Sequence, residues 1–224
     1  MPHVRNSSIV AIHATRTEAP ELRRGYHHGN LKEALIEAAL SLIADKGPGG
    51  LTFAEAARAA GVSPAAPYRH FRDREALLAE VAQRGFRRMG EALTVAWRDG
   101  RPTPTKALHE VGKAYLAFAR TDPAYYAAMF ESGVDIGADP ELRTAAEAAF
   151  AAVRTAVEAV IATLPAATRP PVMMMTLHIW SQAHGIASLF GRADGARRPI
   201  PMSPEDLLEA AVLIYLRGLG AHGV

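Results

Sequence analysis

The sequence predicts an all-α fold, and three observations carry that prediction. Five times a capping residue stands immediately before a proline: Ser63-Pro64, Thr103-Pro104, Asp122-Pro123, Asp139-Pro140 and Ser203-Pro204. A Ser, Thr or Asp side chain can accept a hydrogen bond from an orphan N–H of a helix's first turn. Proline at the first helical position forfeits nothing, because its missing N–H had no partner there. Apolar residues also recur at helical spacing, as in Leu31, Leu35, Ala38 and Leu42. Finally, no stretch sustains two-residue alternation with β-branched enrichment, so strands are not expected.

The elements follow in order. A first helix is expected over about 30–46, stopped by Gly47-Pro48. A second is expected over 53–60, opened by Thr52 and Glu55 as a capping box. A third should run 64–70 and a long fourth 74–97, interrupted at Gly85 and Gly90, where it is expected to hinge. Further helices are expected over 104–120, 123–131, 140–164, 170–190 and 204–219. The division expected from this pattern is a flexible leader over 1–22, a helix-turn-helix domain over 23–75 and a helical domain over 76–224.

Composition bounds the chemistry. The chain has 224 residues, 49% hydrophobic and 21% charged, which suits a globular protein with a core of its own. It has no cysteine, which excludes disulfide frameworks, thiolate zinc sites and cysteine nucleophiles. The early apolar patch Ile9–Ile12 is too short for a signal peptide, and no run approaches the roughly 20 apolar residues of a spanning helix. No metal, cofactor or membrane partner is expected. His178 and His184 are six residues apart, about 240° around a helix, so they are no ligand pair. No catalytic triad, phosphate loop or dinucleotide fingerprint is present, and no catalytic residue is assigned.

The informative segment runs from Thr52 to Phe71. Two short helices meet at Gly61-Val62-Ser63, where glycine suits a left-handed backbone. Small residues Ala56, Ala57 and Ala60 let the helices cross closely, and Val62 and Phe71 are apolar plugs. This is the pattern of a helix-turn-helix whose second helix enters the major groove of duplex DNA. Ala65 and Ala66 offer a slim surface toward bases. Tyr68, Arg69, His70, Arg72 and Arg74 bring a phenol and cations suited to phosphate oxygens. Arg23-Arg24 and His27-His28 make a short basic arm upstream. The net charge is only +2, but residues 1–88 hold 13 Lys and Arg against 9 Asp and Glu, whereas 89–224 hold 12 against 14. The basic surplus lies with the helix-turn-helix.

The run from Gly29 to about Leu78 resembles the DNA-binding domain of the TetR/AcrR family of bacterial transcriptional regulators. The residues that carry the resemblance include Ala39, Ala44 to Gly47, Thr52-Phe53, Ala56-Ala57, Ala60 to Ser63, Tyr68, His70-Phe71, Arg74-Glu75 and Leu77-Leu78. Trp180 and His184-Gly185 resemble a C-terminal type named for Trp, His and Gly. The resemblance implies a homodimer binding a two-fold DNA operator, usually as a repressor, with a C-terminal ligand pocket. By position, Thr52, Ser63, Tyr68, His70 and Arg74 would contact the backbone of DNA, and Ala65, Ala66 and Arg69 would face bases. One departure is Pro67, where the family usually holds an aliphatic such as Leu. Proline removes a helix hydrogen bond and biases Ala66 away from the α region.

The helix over 170–190 carries two apolar stripes. The stripe Val172, Thr176, Ile179, Ala183, Ile186 or Ala187, and Phe190, with the helix over 204–219, is expected to form a four-helix interface with a second subunit. The stripe Met173, Leu177, Trp180, His184 and Ser188 is expected to face inward. There Leu177, Trp180 and His184, opposite Tyr115, Phe118, Tyr126, Met129 and Phe130, would hold a small apolar or amphipathic ligand. Two alternatives stay open: a helical DNA-binding regulator that works with a protein partner and no ligand, and an enzyme whose residues form no motif.

Overall fold

The computed structural model describes residues 31–190 and 201–220. The expected leader, Arg23 and Arg24 of the basic arm, and most of the link between the last two helices lie outside the described residues. Among the described residues there are eight α-helices and no strand. They are α1 (Leu31–Lys46), α2 (Phe53–Ala59), α3 (Arg74–Trp97), α4 (Pro104–Thr121), α5 (Pro123–Phe130), α6 (Pro140–Thr163), α7 (Val172–Phe190) and α8 (Pro204–Gly218). No helix among them is long and apolar enough to cross a membrane.

The caps follow the residue chemistry. Thr103, Asp139 and Ser203 each accept a backbone N–H in the first turn of α4, α6 and α8. Asp122 precedes α5 without capping it; its carboxylate instead takes Arg88 and the Thr121 hydroxyl. Ser63-Pro64 opens no α-helix, for a reason that belongs to the site below.

α3 is the axis of the molecule, packed along α6, α4 and α5. It does not break at its glycines. A Cβ on Gly85 would stand 2.6 Å from Met129 Sδ, and one on Gly90 would stand 3.3 Å from Ala149 Cα. These glycines are therefore close-approach points for α5 and α6, which accounts for them without the expected hinge.

α1 is bound to α3 by charge as well as by apolar packing. Arg84 donates to both Glu33 carboxylate oxygens and to Glu80, and Lys32 reaches Glu80 at 2.7 Å. The Arg84 hydrogen bond holds the Glu33 carboxyl below its usual range. Burial opposes ionisation of Glu80, but Lys32 and Arg84 prevail and lower it too.

α7 sits on α4 and α6 through Met175, Thr176, Ile179, Ala183, Ile186 and Ala187, all buried within the single chain. This corrects the stripe assignment. The side expected to meet a second subunit is the subunit's own core. The other side is split: Met173 and Leu177, with neighbouring Met174, are about half exposed, whereas Trp180 and His184 turn toward Tyr115 and Tyr126 as expected. Helical periodicity establishes two apolar faces but does not say which one meets the same chain.

Candidate nucleic-acid interface and ligand cavity

α2 starts on Thr52, whose Oγ1 accepts the Glu55 N–H at 3.2 Å. The Thr52 hydroxyl in turn donates to Glu55 Oε2, and Lys46 holds the other carboxylate oxygen. α2 ends in a Schellman motif: Val62 N–H donates to Ala57 O and Gly61 N–H to Arg58 O. Gly61 sits at φ +68°, where a Cβ would be penalised. The turn read from Gly61-Val62-Ser63 is therefore formed as expected. Phe71 closes the small core beneath it, 5% exposed, with Lys32 Nζ 5.9 Å above its ring.

The segment after the turn is not the α-helix expected over 64–70. It is a chain of tight turns, helical only as a 3₁₀ piece at Pro67–Arg69. Ala66 N–H donates to Ser63 O, Arg69 N–H to Ala66 O and His70 N–H to Pro67 O, all three residues back. The four-residue bond to Ser63 O would need an N–H at position 67, and Pro67 has none. Ala66 nonetheless keeps α-region angles, φ −64° and ψ −38°, so the expected bias from the following proline is overridden.

The tight winding sorts the expected DNA residues. Ser63, Ala65, Tyr68, Arg69 and His70 are exposed on one short segment. Ala66 is buried with Pro67 and is turned away from any groove, against expectation. Tyr68 is 64% exposed, and its ring stands edge-on to Phe53 at 5.0 Å, so its hydroxyl is presented on a fixed arm. Arg69 makes no ion pair among the described residues, whereas Arg72 is engaged with Asp73 at 2.8 Å. Arg74 has an internal task that the sequence did not suggest. Its Nε donates to Leu51 O at 2.7 Å and its Nη2 to Pro48 O at 2.6 Å. It thereby ties the α1–α2 connection to the start of α3, while its Nη1 lies 3.4 Å from Glu75.

The second feature is a cavity of about 980 Å³ bounded by α4, α6, α7 and α8. Its walls are Leu108, Val111, Val153, Ile179, Leu208 and Val212, and its mouth is the Arg98–Lys106 segment. Of the eight residues expected to hold a ligand, Tyr115 and Trp180 line it. Phe118 and Met129 are buried in the core away from it, and Leu177 is 46% exposed on the surface. Leu208 and Val212 belong to α8, which sequence reading gave to the subunit interface. The mouth was missed because it lies in a connection without apolar periodicity.

Tyr126, Phe130 and His184 join Tyr115 and Trp180 in an aromatic cluster behind the cavity wall. Tyr115 Oη and Tyr126 Oη lie 3.0 and 2.9 Å from His184 Nδ1. Trp180 stacks on the imidazole at 5.3 Å and Phe130 meets it edge-on at 4.8 Å. A neutral Nδ1 has one lone pair, so it can accept from only one of the two hydroxyls. Burial pushes Tyr126 up to about 12 and Tyr115 beyond the usual phenol range, so both remain protonated. Burial lowers the His184 pKa, against the pull of Glu131, and favours the neutral ring. Among the described residues no group of three or more His, Asp or Glu is placed to hold a metal.

A helix-turn-helix presenting an exposed aromatic and cationic turn, continued by a helical body, defines a DNA-binding transcription regulator. The chain belongs to the TetR family: the family model described as bacterial regulatory proteins, tetR family, matches residues 35–81, and the one described as tetracyclin repressor-like, C-terminal domain, matches 108–215. A protein of unknown function from Rhodococcus sp. RHA1 is 30% identical, with a TM-score of 0.72 over 88% of this chain and 100% of that one. The TetR family transcriptional regulator PfmR from Thermus thermophilus is 20% identical, with a TM-score of 0.61 over 82% of this chain and 97% of that one. The fatty acid degradation regulator FadR from Bacillus halodurans shares the fold at 13% identity, with a TM-score of 0.63 over 84% of this chain and 98% of that one. No curated protein matches the chain.

Proposed function

We propose that the chain is a repressor that binds a two-fold DNA operator as a homodimer and is released by a small ligand in the C-terminal cavity. The observation that carries the DNA half is the exposed Tyr68-Arg69-His70 turn, stood on a buried platform of Ala66, Pro67 and Phe71. In this reading residues 23–75 form the DNA-binding domain and 76–224 the ligand-binding and dimerisation domain, with the protein acting in the cytoplasm, where bacterial DNA lies. Arg69 reads bases at the groove edge. Thr52, Ser63, Tyr68 and His70 grip phosphates, with Arg23 and Arg24 as a trailing arm. Ala65 is the slim face toward the bases.

The dimer surface in this proposal is the outward face of α7 with that of α8. Leu177, Ser181 and Ser188 on α7 are exposed, and a Cβ on Gly185 would meet open space. Ile214 on α8 is 71% exposed, one turn from the exposed Ala210. Small side chains flanking large ones allow two such helix pairs to close into a four-helix seam. Release then follows if the ligand prefers a spacing of the two reading turns that misses half-sites about 34 Å apart.

Selection of duplexes from a random pool, followed by footprinting, tests the DNA half. Enrichment of a two-fold sequence, protected over two adjacent major grooves, is expected. Recovery of no preferred sequence contradicts it. A regulator that works with a protein partner and no ligand would bind the same selected sequence, and no small molecule would release it.

A further inference from the structure

The cavity taken above as the ligand site carries a charge pattern found, among the described residues, at one other place. Among the described residues almost every Lys and Arg is tied to a carboxylate or a carbonyl. Arg88 is held by Asp122, Lys113 by Glu110, Arg120 by Glu205, and Arg169 by the carbonyls of Ala162 and Leu164. The cations with no such partner among the described residues are Arg69, Arg98, Arg101 and Lys106. Arg69 stands on the turn that faces DNA. The other three share the mouth of the cavity.

The mouth's acids offset them only in part: Glu110 is engaged with Lys113 at 3.0 Å, and Glu209, 3.5 Å from His109, stands as one carboxylate against three cations. α4 also begins at this mouth, capped by Thr103, so the positive end of its dipole faces the same space. The backbone that sets Arg98 is strained. Arg98 and Asp99 have φ of 48° and 52°, the only non-glycine residues with positive φ among those described. Such strain gathers at ligand clamps and switches. Below the charged mouth the walls turn apolar.

Resting on the ligand-site reading, we propose that the cavity takes an amphipathic anion, with a carboxylate or phosphate head on Arg98, Arg101 and Lys106 and an apolar tail between Val111, Val153, Ile179 and Leu208. A cation without an internal partner keeps its full attraction for an incoming anion. The apolar walls then take a tail from water in proportion to its buried area. A cavity of about 980 Å³ lies at the upper end of the size range for small-molecule sites, so a chain of about ten carbons fits without repacking.

Calorimetric titration of the full chain with decanoate, decyl phosphate, decanol and decyltrimethylammonium, each below its aggregation concentration, tests this. Both anions should bind at least tenfold more tightly than decanol, and the cation more weakly still. Whichever anion binds tighter identifies the head as carboxylate or phosphate. Arg98→Gln/Arg101→Gln should lose at least tenfold for the anions and stay within twofold for decanol. These arginines have no internal partner, so the melting temperature should not move, and Lys106→Gln should repeat the effect to a smaller degree. Equal binding of decanol and the anions overturns the proposal but leaves an apolar ligand site standing. Anion binding that leaves the DNA complex intact overturns release by ligand but leaves this proposal standing. Absence of binding by all four probes overturns the proposal.

Discussion

Replacing Arg74 separates a structural cation from a DNA-contacting one. Arg74→Ala removes two hydrogen bonds from a charged donor to neutral carbonyls, at 2.7 Å to Leu51 O and 2.6 Å to Pro48 O. Leu51 is fully buried, so part of the loss is the desolvation of its carbonyl left without Arg74, whereas Pro48 O keeps the Leu51 N–H. Bonds of this kind are worth about 1.5–3 kcal/mol each. The Arg74 side chain is 30% exposed, so water recovers part of that, and a total near 2–3 kcal/mol is expected. For a chain of this size that lowers the melting temperature by roughly 5–10 °C. Arg74→Lys, with one compact donor group, should recover about half of the loss. Urea unfolding measures the stability, and fluorescence anisotropy with an operator duplex measures the salt dependence. Loss of one phosphate contact per subunit is two per dimer and reduces the slope of log K against log salt by about 1.8. The structure predicts lost stability with that slope kept. Stability within about 0.5 kcal/mol of the parent, with the slope reduced, would refute the clamp and restore Arg74 to the phosphates.

Three further outcomes follow from the geometry. Burial lowers the His184 pKa below the ordinary histidine value of 6.5, so the unfolded chain binds the proton more readily. Stability should therefore be complete above about pH 7 and fall as pH drops through the mid-6 range, an effect that His184→Phe removes. Glu33 and Glu80, both lowered from 4.5, lose their contribution only below that value, so unfolding of the parent and of His184→Phe compared at about pH 7.5 and 5.5 separates His184 from these carboxylates and from the other histidines. A steeper loss in His184→Phe would contradict the assignment. Leu177→Glu with Ile214→Glu should turn a sedimenting dimer into a monomer without unfolding it, and a variant that still dimerises places the seam elsewhere. Pro67→Ala supplies an N–H that can reach Ser63 O, and that amide should be protected from exchange. Rapid exchange at residue 67 would show that something other than the missing donor keeps this segment out of α-helix.

The sequence was most legible where one residue type has one local task. Thr52, Thr103, Asp139 and Ser203 cap helices as expected, and Gly61 holds the left-handed turn. Ser63-Pro64 carried the same signature and failed, because a second proline at 67 removes the donor that the first turn requires. Tertiary placement was less legible. Trp180 and His184, one turn apart, join Tyr115 and Tyr126 as expected, whereas Leu177 on the same stripe is outside. An apolar stripe registers the need for a partner surface without naming it. Gly85 and Gly90 read as helix breakers because their packing partners, Met129 and Ala149, are distant in sequence. The cationic mouth could not be read at all. Arg98, Arg101 and Lys106 matter through the absence of partners, which only the folded chain reveals.

The affinity of the parent chain and of Arg69→Ala for the selected duplex, each measured across a range of salt, tests the central claim most directly. The account predicts a steep salt dependence for the parent and a loss of sequence preference in the variant of about 1–3 kcal/mol at one base pair per half-site. Identical affinity and preference for the two chains would mean that the turn carrying Tyr68, Arg69 and His70 is not what meets DNA.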